Sequence, residues 1–231
     1  MKKNIQEYFN YLEDFLADLE SIAFSDLVKE PDRACVIVVD MTNAFCCEGP
    51  LASERVAAII DPVTALLRGA WDHGIPNIIL LNDNHSPDAK EFDAFGQHAL
   101  QGSSASESVD AIKALPFYDS MLQMEKNSVD PSHGTELPAW LARHPQVDTF
   151  IVVGDCTDIC VYLTCMYLKT SANAADQARR VVVPVNCVDT YDLTVEAAQS
   201  SGLEPHPAEI LHPLFLHHLK LHAMELYSGI Q

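Results

Sequence analysis

The stretch Phe150-Ile151-Val152-Val153-Gly154-Asp155-Cys156-Thr157-Asp158-Ile159-Cys160-Val161-Tyr162-Leu163-Thr164 reads as strand, tight turn, helix. Its apolar run is short, β-branched and unalternating, as expected of a strand buried on both faces. Thr157 or Asp158 is a suitable N-cap, which predicts Cys160 in the first turn of a helix over 158–172. Runs of the same kind recur at Ala34–Val39 before Asp40, at Asn77–Leu81 before Asn82-Asp83, and at Val181–Val185 before Asn186. Helical spacing fills 54–71, 192–201 and 207–220. Strands alternating with helices predict an α/β fold, one domain built on a parallel sheet with helices on both faces. Residues 5–24 carry an amphipathic helical pattern. We therefore expect an N-terminal helical segment, 1–30, packed on a domain spanning 31–231, with a partner or dimer surface as its other use.

Composition narrows the function. A chain of 231 residues folded as one domain buries roughly 70% of its unfolded surface, so no metal or disulfide is needed as a staple. Hydrophobic residues make up 48% and charged residues 20%, with a net charge of −19. Such a charge repels phosphate backbones and anionic lipid, which argues against nucleic-acid and membrane-surface partners. No apolar run approaches the ~20 residues of a membrane span. The start, Met1 to Tyr8, lacks the apolar stretch of a secretory signal. Seven cysteines, clustered as Cys46-Cys47 and Cys156/Cys160/Cys165, suit free thiols in a reducing cytoplasm better than a disulfide framework. No dinucleotide-binding G-x-G-x-x-G, P-loop or G-x-S-x-G elbow follows any strand.

In open parallel sheets ligands sit beyond the carboxyl ends of the strands. Here those ends carry Asp40, Asp83 and the Gly154-Asp155-Cys156-Thr157 turn, so acids and a cysteine-bearing loop converge on one edge. A thiol in a first helical turn feels the positive end of the helix dipole, which favours its thiolate. Unassisted, only roughly 3% of a thiol is ionised at pH 7. Spacing alone leaves Cys160 as a reactive thiol or a buried structural one; Cys156 and Cys165 read as core. Asp40 alone is equally a strand-end acid capping a turn, and Lys126 a solvated lysine. A second constellation is Asp83-Asn84-His85-Ser86-Pro87, then Glu91, then Phe95-Gly96-Gln97-His98. Two imidazoles and a carboxylate can hold a metal with positions open for water and substrate. By itself the pattern also suits loop hydrogen bonding.

Asp40 in Val38-Val39-Asp40-Met41-Thr42-Asn43-Ala44-Phe45, a later Lys126, and Gly154-Asp155-Cys156-Thr157-Asp158-Ile159-Cys160-Val161 together resemble the isochorismatase-like cysteine hydrolases, over roughly residues 34–220. The resemblance is to the nicotinamidases, the plant-type branch in particular, whose C-terminal segment is similar to His206-Pro207-Ala208-Glu209. It implies a catalytic triad of Asp40, Lys126 and Cys160, and an oxyanion hole from the backbone N–H groups of Cys156 and Cys160. It implies a cis peptide at Asp155–Cys156. It implies metal ligands Asp83, His85 and His98, with Glu91 direct or through water, and Phe45 and Phe95 on either side of the substrate ring. The cofactor implied is one divalent transition-metal ion, zinc first, with iron or manganese as alternatives. The reaction implied is hydrolysis of nicotinamide to nicotinate and ammonia through a cysteine thioester. Alternatives are a related cysteine amidohydrolase acting on a carbamoyl or ureido group, and a catalytically silent binding protein. The partners implied are a small-molecule amide and further copies of the chain as a homo-oligomer. One departure stands out: the run after Lys126, Asn127 to Gly134, lacks the aromatics that relatives often carry. In the C-terminal segment, His218 and His222 lie four apart, as a chelating pair or as ordinary helix surface.

Overall fold

Six strands form one parallel sheet in the order β3-β2-β1-β4-β5-β6. They are β1 (Ala34–Val39), β2 (Asn77–Asp83), β3 (Leu122–Lys126), β4 (Thr149–Gly154), β5 (Arg180–Pro184) and β6 (Glu225–Tyr227). The computed structural model describes residues 2–231, the side chains of 2, 3 and 201 aside. β1 sits in the middle and every residue of it is buried, which is why the run is apolar without alternation. Val36 and Val38 join one core with Val63, Leu66 and Leu67 from the helix Ile60–Asp72. Cys35, Ile37 and Val39 join the other, with Val161 and Leu168 from Cys160–Ala174 and Leu216 and Leu219 from Ala208–Leu221. Helices thus cover both faces, as the alternating pattern predicts.

The structure corrects several boundaries. The stretch 54–71 is two helices, Glu54–Ala58 and Ile60–Asp72. The N-terminal helix runs Lys2–Ala17 instead of 5–24, and residue 1 lies outside the described residues. Its predicted last turns are drawn off by the end of the chain: the Ile22 N–H donates to Gly229 O (3.0 Å) and Ile22 O accepts from Gln231 N–H (2.9 Å). The helix lies on Ala208–Leu221, where Tyr8 Oη is 2.7 Å from His217 Nδ1 and Tyr11 and Phe15 ring the same imidazole. No helix among the described residues is long and apolar enough to cross a membrane.

At the carboxyl end of the sheet, β1 and β4 approach closely. Gly154 has φ +110°, and a Cβ there would lie 1.9 Å from the Val39 carbonyl oxygen. Only glycine fits. The close contact brings the turn after β4 beside Asp40.

Candidate active site

Asp40 follows β1 with φ +54°, a left-handed conformation that a short polar side chain tolerates and that clusters at functional sites. Its Oδ1 accepts the Asp83 N–H at 2.6 Å, fixing the ends of β1 and β2 together. Lys126 closes β3 in register with Asp83. Its Nζ lies 2.7 Å from Asp40 Oδ2, 2.5 Å from Asp83 Oδ1 and 3.4 Å from Cys160 Sγ. All four side chains are buried. The three residues expected to act together are therefore brought together, with Asp83 as a fourth member.

Burial, and then the Asp83 charge, raise the Asp40 carboxyl to about 6, despite the opposing pull of Lys126. Against the cost of its own burial, the Lys126 ammonium holds Asp83 well below the usual carboxylate range. Lys126, though buried, is held well above the ordinary range by Asp40 and Asp83. Cys160 departs from the sequence expectation. It opens its helix at the first position, but Ile159 is the capping residue and supplies no side-chain cap. Burial pushes the thiol well up, and Lys126 offsets this only in part. Burial thus favours the thiol form of Cys160, beside an Asp40 carboxyl raised to about 6. Among the described residues, neither the Cys156 nor the Cys160 N–H donates to a backbone carbonyl, and the peptide between Asp155 and Cys156 is cis.

Next to this group lie Asp83, His85, Glu91 and His98, whose polar atoms all fall within 4.8 Å of one another. His98 Nδ1–H donates to Gly96 O (2.9 Å) and His85 Nδ1–H to Asn127 Oδ1 (3.2 Å), so each ring turns a lone pair on Nε2 inward. The two Nε2 atoms face each other at 3.0 Å, and two lone pairs so close are relieved by a shared cation or by a proton on one ring. Asp83 Oδ2 lies 3.4 Å and 3.6 Å from them. It is buried without a hydrogen bond, as is Glu91 Oε1. Lone pairs aimed inward and orphaned carboxylate oxygens fit a divalent metal. The other acid–thiol group, Asp40, Asp83 and Cys160, already holds the Lys126 ammonium as its cation. The loop after Lys126 supplies no ring. Instead Asn127 fixes His85 and Ser86, and the Val129 N–H donates to Glu91 Oε2 at 3.0 Å.

A small cavity joins the two groups, with Cys160 and Cys156 at one end and Asp83, Glu91 and His98 at the other. Its walls are apolar: Phe45, Phe95, Tyr191, Ile159, Leu51 and Val129. Tyr191 escapes sequence reading, because nothing in Asp189-Thr190-Tyr191-Asp192 marks it except a position beyond the carboxyl end of β5. His218 and His222 stand away from the cavity, with ring centroids 4.9 Å apart and His218 bonded to Tyr162.

Asp155 is the other residue that sequence alone leaves unread. It is fully buried, and neither carboxylate oxygen has a hydrogen bond. Burial, then the nearby Asp40 charge, push its carboxyl well above the usual range. A carboxyl raised in the folded state costs stability once pH exceeds its unfolded value near 3.9, and the cost grows until the folded value is passed. Asp155→Val is therefore expected to stabilise the protein by about 1–3 kcal/mol, more at pH 8 than at pH 5. Urea midpoints at the two pH values check this, and a lower midpoint for the variant at pH 8 would overturn it.

Comparison with known proteins bears on the family and the fold. A family model described as "Isochorismatase domain" matches residues 34–211. Nicotinamidase 1 of Arabidopsis thaliana is 27% identical over 213 residues, covering 84% of this chain and 85% of that protein. A pyrazinamidase/nicotinamidase structure from Streptococcus mutans superposes with a TM-score of 0.66 at 22% identity, covering 84% of this chain and 99% of that one. N-carbamoylsarcosine amidase from Thermoplasma acidophilum gives 0.62 at 22% identity, covering 84% and 95%. Relatives named for two substrate classes share the fold, so the choice between those classes rests on the cavity.

Proposed function

The chain belongs to the isochorismatase family, and on that premise we propose that it hydrolyses nicotinamide to nicotinate and ammonia through a thioester on Cys160. The observation that carries the reading is the aromatic-walled cavity running from Cys160 to the His85/His98 group. A flat ring between Phe45 and Phe95 can set its carboxamide on the thiol and its ring nitrogen towards the metal ligands.

Cys160 Sγ adds to the amide carbon while Asp40 takes the thiol proton; the two groups lie within 4.8 Å. A base near 6 suits that transfer at neutral pH. The carbonyl oxygen gains charge and is held by the Cys156 and Cys160 N–H groups, each such donor being worth roughly 3 kcal/mol. Asp40 then protonates the nitrogen, the C–N bond breaks and ammonia leaves. Water adds to the thioester with Asp40 again as base, and the C–S bond breaks to return the thiol. Lys126 keeps Asp40 oriented and offsets the charge that develops on Sγ. Asp83, His85, His98 and Glu91 would hold one divalent ion, zinc, iron or manganese, which supplies Lewis acidity towards the ring nitrogen and water. The free thiols support a cytoplasmic setting.

The test is ammonia release from nicotinamide before chelation, after it, and after metal is restored. Release that disappears with chelator and returns with metal is expected. Metal-loaded protein that releases none, while Cys160 alkylates rapidly at neutral pH, would discard nicotinamide in favour of a carbamoyl or ureido amide.

A further inference from the structure

Tyr191 lines the cavity and is held there by an aromatic stack. Its ring stacks on His206 with centroids 3.9 Å apart and planes 11° apart. His206 Nδ1 lies 2.8 Å from the Tyr191 carbonyl, and Nε2 lies 2.7 Å from Asp158 Oδ2. A carbonyl and a carboxylate only accept, so both ring nitrogens donate and His206 is an imidazolium. The direction of its shift agrees: against burial, Asp158 and the Tyr191 carbonyl raise His206. A cation stacked flat under a phenol ring adds a cation–π attraction to the packing.

The hold extends to the nucleophile turn. Asp158 stands two residues before Cys160, and its Oδ1 accepts from Thr190 Oγ1 at 2.6 Å. The Thr190 side chain and the Tyr191 backbone also act on the Cys156 thiol, partly offsetting the upward push of its burial. The far side is closed by paired backbone bonds between Leu193 and His206, at 2.8 and 2.9 Å. One buried ion pair therefore ties the turn that carries Cys160 to the aromatic wall facing it.

We propose that Asp158 and His206 are positioning residues that hold Tyr191 as a rigid π-wall, making the cavity selective for flat heteroaromatic carboxamides over saturated ones of the same size. This rests on the amidohydrolase reading of the same cavity and names what sets its preference. Phe45 and Phe95 reach the cavity from other segments without such an ionic anchor. Tyr191 is the wall whose loss removes selectivity, and Asp158 and His206 set that selectivity through it.

The experiment reads occupancy separately from turnover. Alkylation of Cys160 by iodoacetamide, followed at that residue by peptide mass, is slowed by a ligand in the cavity. The probes are 3-acetylpyridine and acetylcyclohexane, neutral ketones of matched shape with no amide to lose. In the metal-loaded wild type, 3-acetylpyridine should protect about tenfold more tightly than acetylcyclohexane. Tyr191→Leu should weaken 3-acetylpyridine about tenfold and acetylcyclohexane less than twofold, while Tyr191→Phe keeps the wild-type ratio. Asp158→Asn, which keeps shape and removes the charge that fixes the imidazolium, should move the ratio as Tyr191→Leu does. The Asp158→Asn/Tyr191→Leu double variant should lose no more than either alone. For nicotinamide turnover, KM should rise in these variants with kcat within about threefold. Equal protection by both probes in the wild type, an unchanged ratio in Tyr191→Leu, or additive losses in the double variant would overturn the proposal. If 3-acetylpyridine protects as described but nicotinamide is not hydrolysed, the substrate assignment fails and the π-wall stands.

Discussion

Cys160→Ala is expected to lower kcat for nicotinamide by about 10⁴-fold or more, while metal content per chain stays at the wild-type level. The two outcomes separate because Sγ belongs to the Lys126 group and not to the four-residue group around His85 and His98. Removing it deletes the atom proposed to form the covalent bond and leaves every proposed metal ligand in place. Cys156 does not substitute, since Asp40, the acid proposed to take the thiol proton, groups with the Cys160 thiol and not with that of Cys156. Ammonia release and elemental analysis of the same preparation check both halves. Turnover within tenfold of wild type would remove Cys160 from the mechanism.

The second large effect is on Lys126→Met. Its ammonium is the cation for two buried carboxylates, Asp40 and Asp83, that otherwise face each other across the ends of β1 and β2. Removing one partner of such a group leaves uncompensated buried charge, at a cost of about 3–5 kcal/mol. The sign follows from Asp83, whose carboxyl is held low in the folded state. A depressed carboxyl contributes stability above its unfolded value near 3.9 and loses it as pH falls. The deficit of the variant is thus largest at neutral pH and shrinks below about pH 4. Turnover should vanish as well, since Asp40 without its cation stays protonated at pH 7. Urea unfolding of chelator-treated protein at pH 7 and pH 4 measures this, and a neutral-pH deficit below about 1 kcal/mol would show that the site is far more solvated than its burial implies.

Much of the architecture was legible in the sequence because four strands are buried on both faces, and burial of that kind writes itself as an unbroken β-branched run. β3 was not legible. It is an edge strand whose Leu122, Gln123 and Glu125 are exposed, so Leu-Gln-Met-Glu-Lys shows no apolar run although it delivers Lys126. β6 is three residues long and shows no pattern of its own. In the site, Asp40, Cys160 and the His85/His98 group were left open by spacing alone and became candidates through the family resemblance that their local motifs carry. Asp155 and Tyr191 were not. A strand-end acid looks solvent-facing until the fold closes over it, and the Tyr191–His206 stack joins residues 15 apart across a helix. The thiolate expectation for Cys160 failed for a related reason. The helix position is a local property, but the desolvation that outweighs it is created by the whole cavity.

Gly154 carries a consequence for how this protein can diverge. Every amino acid one base change away from a glycine codon bears a Cβ, and a Cβ here would run into the Val39 carbonyl. The position is a mutational dead end. The backbone contact that forbids change also sets Asp40 beside the cysteine turn, so selection on folding guards the catalytic spacing with no help from selection on activity. Descendants that abandon the chemistry would still inherit its geometry.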